Sequence, residues 1–307
     1  ALIDPMASGV FAGDPARMSL ASCFPRIHEL ELQYGSLIKA LVSLQFKAHR
    51  EGRKKLPGAG PGGTLTSFGE GISELIERLE AVLAGSIRKN TPVAGVSMQN
   101  GDYQLQLENG TTEDFHALIM AVPAWVQSQL LDQLSPAISR TLSRIYYPPL
   151  SVVCLGYDEA DIPPSLNGFG FLVPSTERKH ILGAVIDSNV FPNRAPAGRA
   201  LIRVMAGGSR APGIAMREDS SLVDLVKGDL EAMTGIAAEP EFCRVYRHMR
   251  AIPQYHVGHG HLIDELADSL VAFPGLYLAG NAFKGVSLND CVANAFRIAD
   301  QITNGAK

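Results

Sequence analysis

Apolar residues recur along this 307-residue chain at three spacings, and each spacing predicts a different element. Between about 15 and 50, Ile27, Leu30, Tyr34, Leu37, Leu41 and Leu44 fall three or four apart, one face of a helix, with Pro25 tolerated where a helix begins. A second helix is expected over about 72–83, after the run 65–71. The spacing then drops to two. Short strands are expected at 93–98, 103–107 and 111–115, and the dipeptides Asn100-Gly101 and Asn109-Gly110 between them favour the positive φ of tight hairpins, so the three should form a meander. The continuous apolar run 117–122 predicts a buried strand, ended by Pro123 and followed by a helix over 125–134. From 135 the texture changes, which marks a domain crossing. Strands at 151–157, 169–173, 181–186, 201–206 and 243–248, with one helix at 222–234 and no βαβ alternation, predict an antiparallel-rich α+β sheet. Finally, 276–279 reads as a short buried strand. The helix after it has Ser287, Asn289 and Asp290 as capping candidates and Val292, Ala295, Phe296, Ala299 and Ile302 as its expected buried stripe.

Composition narrows the function classes. A hydrophobic content of 46% suits a globular chain long enough for two cores, and a net charge of −4 with scattered basic residues gives no footprint for nucleic acid. The four cysteines, Cys23, Cys154, Cys243 and Cys291, form no CxxC pair and suit free thiols in a reducing cytosol. No apolar run approaches the roughly 20 residues that span a bilayer. His49, Arg50, Arg53, Lys54 and Lys55 form a basic cluster, readable as a solvated helix end or as a surface for anionic lipid.

Candidate chemistry concentrates in one loop. Strand 276–279, the stretch Gly280 to Val286 and the helix after it place unpaired N–H groups and the positive end of a helix dipole where an anion can sit, while Gly285 permits close backbone approach. Other chemistries find less support. His256, His259 and His261 have no carboxylate or cysteine at ligand spacing, so no metal is expected. GxSxG is absent. The stretch Gly58-Ala59-Gly60-Pro61-Gly62-Gly63 is no dinucleotide fingerprint, because Pro61 interrupts it and no strand precedes it.

Leu278-Ala279-Gly280-Asn281, Gly285-Val286 and Asn289-Asp290-Cys291 resemble the C-terminal flavin-contacting motif of the protoporphyrinogen oxidase family, within the wider flavin amine oxidase and phytoene desaturase group. Ala12-Gly13-Asp14-Pro15, Ser67-Phe68 with Gly71, Gly168-Phe169-Gly170 with Leu172-Val173-Pro174-Ser175, and Ile252-Pro253-Gln254-Tyr255 with Gly258-His259 follow the order of that family. The resemblance implies a flavin amine oxidase-like α/β fold whose N-terminal dinucleotide-binding unit is not in this sequence. Four segments are then expected: 1–57, the remainder of a helical membrane-associated domain; 58–134, the middle of the FAD-binding domain; 135–250, an antiparallel-rich substrate domain; and 251–307, the C-terminal FAD-binding segment. It further implies FAD held through Val93, Gly280, Asn281, Gly285, Val286, Ser287 and Leu288, the last three through backbone amides at the helix start. Val93 would touch the adenosine half, though it also suits an ordinary strand position. Phe169, Gly170 and Leu172 would pack on a porphyrinogen with Met205 opposite, apolar walls suited to a flat macrocycle and equally to a core. The arginine that would pair its carboxylates is expected in the N-terminal part that is not in this sequence, and none of Arg203, Arg210, Arg247 and Arg250 is assigned that role.

The implied activity is oxidation of protoporphyrinogen by FAD and oxygen, with no catalytic acid or base assigned, in a cytoplasmic protein that is a peripheral membrane or homodimer candidate. Its rivals are coproporphyrinogen oxidation and a non-catalytic tetrapyrrole- or partner-binding remnant.

Overall fold

The computed structural model describes residues 3–50 and 65–305, so the linker 57–63 and the basic residues Arg53, Lys54 and Lys55 lie outside the described residues. In chain order the helices are α1 (Ile3–Phe11), α2 (Leu20–Cys23), α3 (Pro25–Tyr34), α4 (Leu37–Arg50), α5 (Ser73–Val82), α6 (Ala124–Leu130), α7 (Pro136–Ser143), α8 (Asp187–Val190), α9 (Pro212–Ala215), α10 (Asp219–Thr234), α11 (His259–Leu270) and α12 (Leu288–Gly305). The strands are β1 (Val93–Gln99), β2 (Asp102–Leu107), β3 (Thr112–Phe115), β4 (Leu118–Met120), β5 (Leu150–Asp158), β6 (Gly170–Leu172), β7 (Ile181–Ile186), β8 (Arg199–Gly207), β9 (Phe242–His248) and β10 (Leu276–Leu278). They gather into two compact units. One holds the residues up to Arg17, Ser67–Lys89 and Tyr146–Gln254; the other holds the described part of Met18–Thr66, Asn90–Ile145 and the residues from Tyr255 on.

The first unit is built on an antiparallel sheet in the order β6-β7-β8-β5-β9. Alternation along the strands turns Val153, Leu155 and Tyr157 of β5, Ala184 and Ile186 of β7, and Ile202, Val204 and Ala206 of β8 into one core with Leu222, Val226 and Leu230 of α10. Each such large side chain taken from water contributes about 1.5–3 kcal/mol, which makes this face the anchor of the unit. Gly235, in the left-handed conformation at φ +80°, ends α10 and donates its N–H to the Glu231 carbonyl. Gly170 joins β6 to β7 at φ +148°, where a Cβ would sit 2.1 Å from the Ala184 carbonyl. Only glycine fits there.

In the second unit the meander β1-β2-β3 forms as predicted, with Asn100 and Gly101 both at positive φ in the first turn, whereas in the second only Gly110 is, its N–H on the Leu107 carbonyl. The fully buried Tyr103 reaches from β2 to the Pro274 carbonyl at 2.9 Å, just before β10. Strand β10 pairs in parallel with β4. Gln127 of α6, buried without exposure, closes the ends of both strands by donating from Nε2 toward the carbonyls of Met120, Val122 and Ala279 at 3.1, 2.6 and 3.0 Å. Helix α7 opens on Ser135, whose side chain caps Ile138 N–H, and joins α6 through the Ser128 hydroxyl on the Ser139 carbonyl. The unit therefore continues to Ile145, beyond the change of texture at 135.

Three expectations need correction. The stretch 15–50 is not one helix: Pro25 starts α3, and Gly35 at φ +70° ends it before α4 begins. Strand β4 is buried on one face only, with Met120 inside and Ile119 exposed: successive side chains point to opposite faces, and the described residues cover one of them. The stripe expected to be buried on α12 is largely outside, with Val292 and Phe296 exposed and Ile302 only half-buried, whereas Ile298 is 3% exposed. Periodicity identifies an apolar stripe, but the neighbours decide which face is covered. The covered face of α12 carries Cys291, Asn294 and Ile298.

Candidate functional sites

The loop between β10 and α12 is shaped by two glycines and a capping box. Ala279 N–H still follows the parallel pairing, donating to the Met120 carbonyl at 2.9 Å. Gly280 (φ +113°) and Gly285 (φ +79°) then turn the chain through conformations that side-chain-bearing residues avoid. At the helix start the Ser287 hydroxyl accepts from Asp290 N–H at 3.1 Å, and the Asp290 carboxylate accepts from both the Ser287 amide (3.2 Å) and hydroxyl (2.6 Å). A Cβ on Gly285 would lie 2.3–2.5 Å from Asp290 side-chain atoms, so this glycine makes room for the capping carboxylate.

That arrangement changes the expected inventory of donors. The Ser287 amide is taken by Asp290, and the Asp290 charge offsets part of the positive helix end. Among the described residues, no acceptor meets the N–H groups of Gly280, Asn281, Ala282, Gly285, Val286 or Leu288. A flavin or another electron-rich group at this loop would therefore be held by those amides rather than by side-chain charge. Val93 is half-buried at the start of β1, the edge strand of the meander, beside a bulge between Val93 and Gly95. It belongs to the same unit as the loop.

The candidate substrate residues all lie in the first unit. Leu172 of β6 stands opposite Gly183 of β7, which stands opposite Met205 of β8, then Val152 of β5 and Tyr246 of β9. Directly paired residues share a face, so Met205 is in one row with Leu172 and is not an opposing wall. Gly183 had no sequence signal beyond being a glycine within a strand. Its role is plain here: a Cβ would fall 2.6 Å from the Phe171 carbonyl and 3.1 Å from Leu172 Cδ2, so the glycine keeps the row flat. Leu172 also packs against Gly9 of α1. Phe169, immediately before β6, is 56% exposed.

Arginines of the first unit are committed within the protein. Arg203 forks onto Asp187 (3.0 and 2.7 Å), Arg210 pairs Asp4 (2.6 Å), and Arg247 holds the Ala215 carbonyl and Asp219, each at 2.8 Å. The structure adds Asp290, Gln127, Tyr255 and Asn294 as polar side chains bonded to or beside the loop. A buried amide or phenol in an apolar segment is the signal that marks such residues.

Known proteins provide an independent reading. The family model described as flavin containing amine oxidoreductase matches residues 1–303. Protoporphyrinogen oxidase 1, chloroplastic, of Arabidopsis thaliana is 35% identical, covering 99% of this chain and 60% of its own length. Coproporphyrinogen III oxidase of Bacillus subtilis is 32% identical, covering 95% of this chain and 61% of its own. A crystal structure of an Exiguobacterium protein, described provisionally as a protoporphyrinogen oxidase, superposes with a TM-score of 0.78 at 29% identity, over 98% of this chain and 62% of that one. The chain thus spans about three-fifths of the length of the curated relatives it matches.

Proposed function

The chain belongs to the family of flavin containing amine oxidoreductases, and on that footing we propose that the protein oxidises protoporphyrinogen IX to protoporphyrin IX with FAD and molecular oxygen. The observation that carries this reading is the loop 279–288, which fits a flavin because, beyond the amides of Ala279 and Ser287, its backbone donors are unspent, and the one acidic side chain beside them, Asp290, is held in the capping box. FAD supplies the hydride acceptor. Gly280, Asn281, Ala282, Gly285, Val286 and Leu288 would hold it through backbone, and Val93 would meet its adenosine half. Ser287 contributes through the capping box that fixes its neighbours.

Toward substrate, the row Leu172, Gly183, Met205, Val152 and Tyr246 is a flat apolar strip, with Phe169 and Gly170 at its border and Met205 also packed against the cluster of Ala12, Leu150 and Leu182. A flat tetrapyrrole buries large area on such a strip. Binding and orientation are the work of these residues, and the reading requires no protein acid or base. Helix α4 supports peripheral membrane association, since Ile38, Leu41, Val42 and Phe46 are exposed and its last turn carries Lys47, His49 and Arg50. No helix among the described residues is long and apolar enough to cross a membrane.

Coproporphyrinogen III is the rival substrate, favoured by the likeness to the Bacillus subtilis enzyme. Porphyrin fluorescence, followed after mixing protein from its complete coding sequence with each reduced porphyrinogen, separates the two. Faster turnover of protoporphyrinogen is expected. Preference for coproporphyrinogen moves the assignment to the rival, and absence of both flavin and turnover defeats the reading.

A further inference from the structure

The loop glycines leave open which way its peptides face. Gly280 and Gly285, both at positive φ, allow the adjoining peptide planes to turn over at little cost. A carbonyl turned toward the ligand would present partial negative charge where the flavin reading needs donors. Something outside the loop must set the orientation.

We infer that Gln127, Tyr255 and Asn294 are positioning residues of the cofactor loop, each drawing one loop carbonyl away from the ligand side so that the following N–H faces it. This rests on the flavin reading above. Gln127 Nε2 holds the Ala279 carbonyl at 3.0 Å, the Tyr255 hydroxyl holds that of Asn281 at 2.6 Å, and Asn294 Nδ2 holds that of Lys284 at 2.8 Å. These donors come from three places: α6, the segment before α11, and the covered face of α12. In a planar trans peptide the N–H points opposite to the C=O, so the held carbonyls direct the amides of Gly280, Ala282 and Gly285 away from the three side chains. No peptide in the described chain is cis.

Tyr255 is itself rigidly placed. It is 1% exposed and its ring stacks on His259 at 4.1 Å and 12°. Its own carbonyl accepts from Ser19 N–H at 2.8 Å. The motif Ile252-Pro253-Gln254-Tyr255 contains Tyr255, and the bond of its hydroxyl to the Asn281 carbonyl gives that residue a task at the loop.

The test compares wild type with Tyr255→Phe, which keeps the ring stack and removes one oxygen, and with Asn294→Leu. All are produced from the complete coding sequence. Backbone amide and carbonyl NMR shifts across 280–288 are measured without flavin, and FAD affinity and the flavin visible spectrum are measured on reconstitution. Tyr255→Phe is expected to move the loop shifts, leave those of the β5–β9 sheet unchanged, weaken FAD binding about tenfold, the factor one lost hydrogen bond represents, and shift the flavin bands. Asn294→Leu should act in the same direction. Moved loop shifts with unchanged FAD affinity and spectrum would make the contacts merely structural and overturn the proposal. Unmoved loop shifts in both variants overturn it as well. Wild-type protein that takes up no FAD would instead defeat the flavin reading itself, a result distinct from either.

Discussion

At Gly285 two restraints meet: a φ of +79°, and the Asp290 side chain within 2.5 Å of where a Cβ would sit. The first costs a non-glycine residue about 1–2 kcal/mol; the second forces the capping box apart. Gly285→Ala should therefore destabilise the start of α12 by more than the backbone strain alone, and adding Asp290→Ala should recover part of the loss. A double-mutant cycle followed by local amide exchange gives the answer, and simple additivity would show that the two residues do not compete for space. His259 makes a second prediction. Burial, more than the nearby His256 charge, pushes its pKa below the ordinary value of 6.5, and the Phe283 backbone only partly opposes this. A histidine with a depressed folded pKa is protonated more readily in the unfolded chain, so the stability it confers is complete above pH 6.5 and falls as pH drops through the folded value. Wild type should lose thermal midpoint between neutral and mildly acidic pH, and His259→Gln should flatten that slope. A variant with the same slope would place the titration elsewhere.

Among the elements, α12 tests how far a pattern can be read. Ile298→Ala is expected to cost about 2–5 kcal/mol, the range for emptying a buried aliphatic site, whereas Phe296→Ala in this chain should stay within about 0.5 kcal/mol, because Ile298 is 3% exposed and Phe296 70%. Urea midpoints that rank the other way would restore the stripe expected from periodicity. The contrast shows what was legible. Asn100-Gly101 determines its turn locally, through positive φ at both residues, so the meander could be read from composition and alternation alone. The long strands β5, β7 and β8 and helix α10 could be read for the same reason, since one alternating or helical stripe meets one core. Facing and cross-strand company could not. Met205 joins Leu172 through Gly183, a register set by three strands, and α12 is turned by what covers it. Helices α7 and α11 went unread although Ser135-Pro136 and the pair Leu262 and Leu266 mark them. The capping box was half legible: Ser287 and Asp290 stand out as caps, but only the coordinates show that Asp290 consumes the Ser287 amide.

At the scale of the whole chain, apolar surface is left open in both units. In the first, Ile3, Met6 and Val10 of α1 and Ile76 and Leu79 of α5 are exposed, as is Ile72 just before α5; in the second, apart from the α4 face, so are Ile119 of β4 and Phe296 of α12. Stripes repeated at helical spacing on separate elements are contact faces rather than scattered surface residues. The parallel pair β4 and β10 points the same way, because parallel strands are ordinarily covered on both faces and flanked by further strands. Cofactor affinity should reflect this. In dinucleotide-type sites the pyrophosphate and ribose are held chiefly by a first βαβ unit with its glycine-rich turn and acidic residue, and the described parallel sheet has only two strands. The loop 279–288 and Val93 supply backbone donors without that unit. The 307-residue chain by itself is therefore expected to bind FAD more weakly than micromolar, to show no porphyrinogen oxidation, and to bind a hydrophobic dye strongly. Adding a separately produced dinucleotide-binding segment from a relative should raise FAD affinity and reduce dye binding together, since the same faces would be covered. Flavin fluorescence titration of the chain alone and of the mixture measures both states. Micromolar or tighter binding by the chain alone, accompanied by turnover, would show that the loop and its three holding side chains suffice for the cofactor and that the open faces serve some other partner.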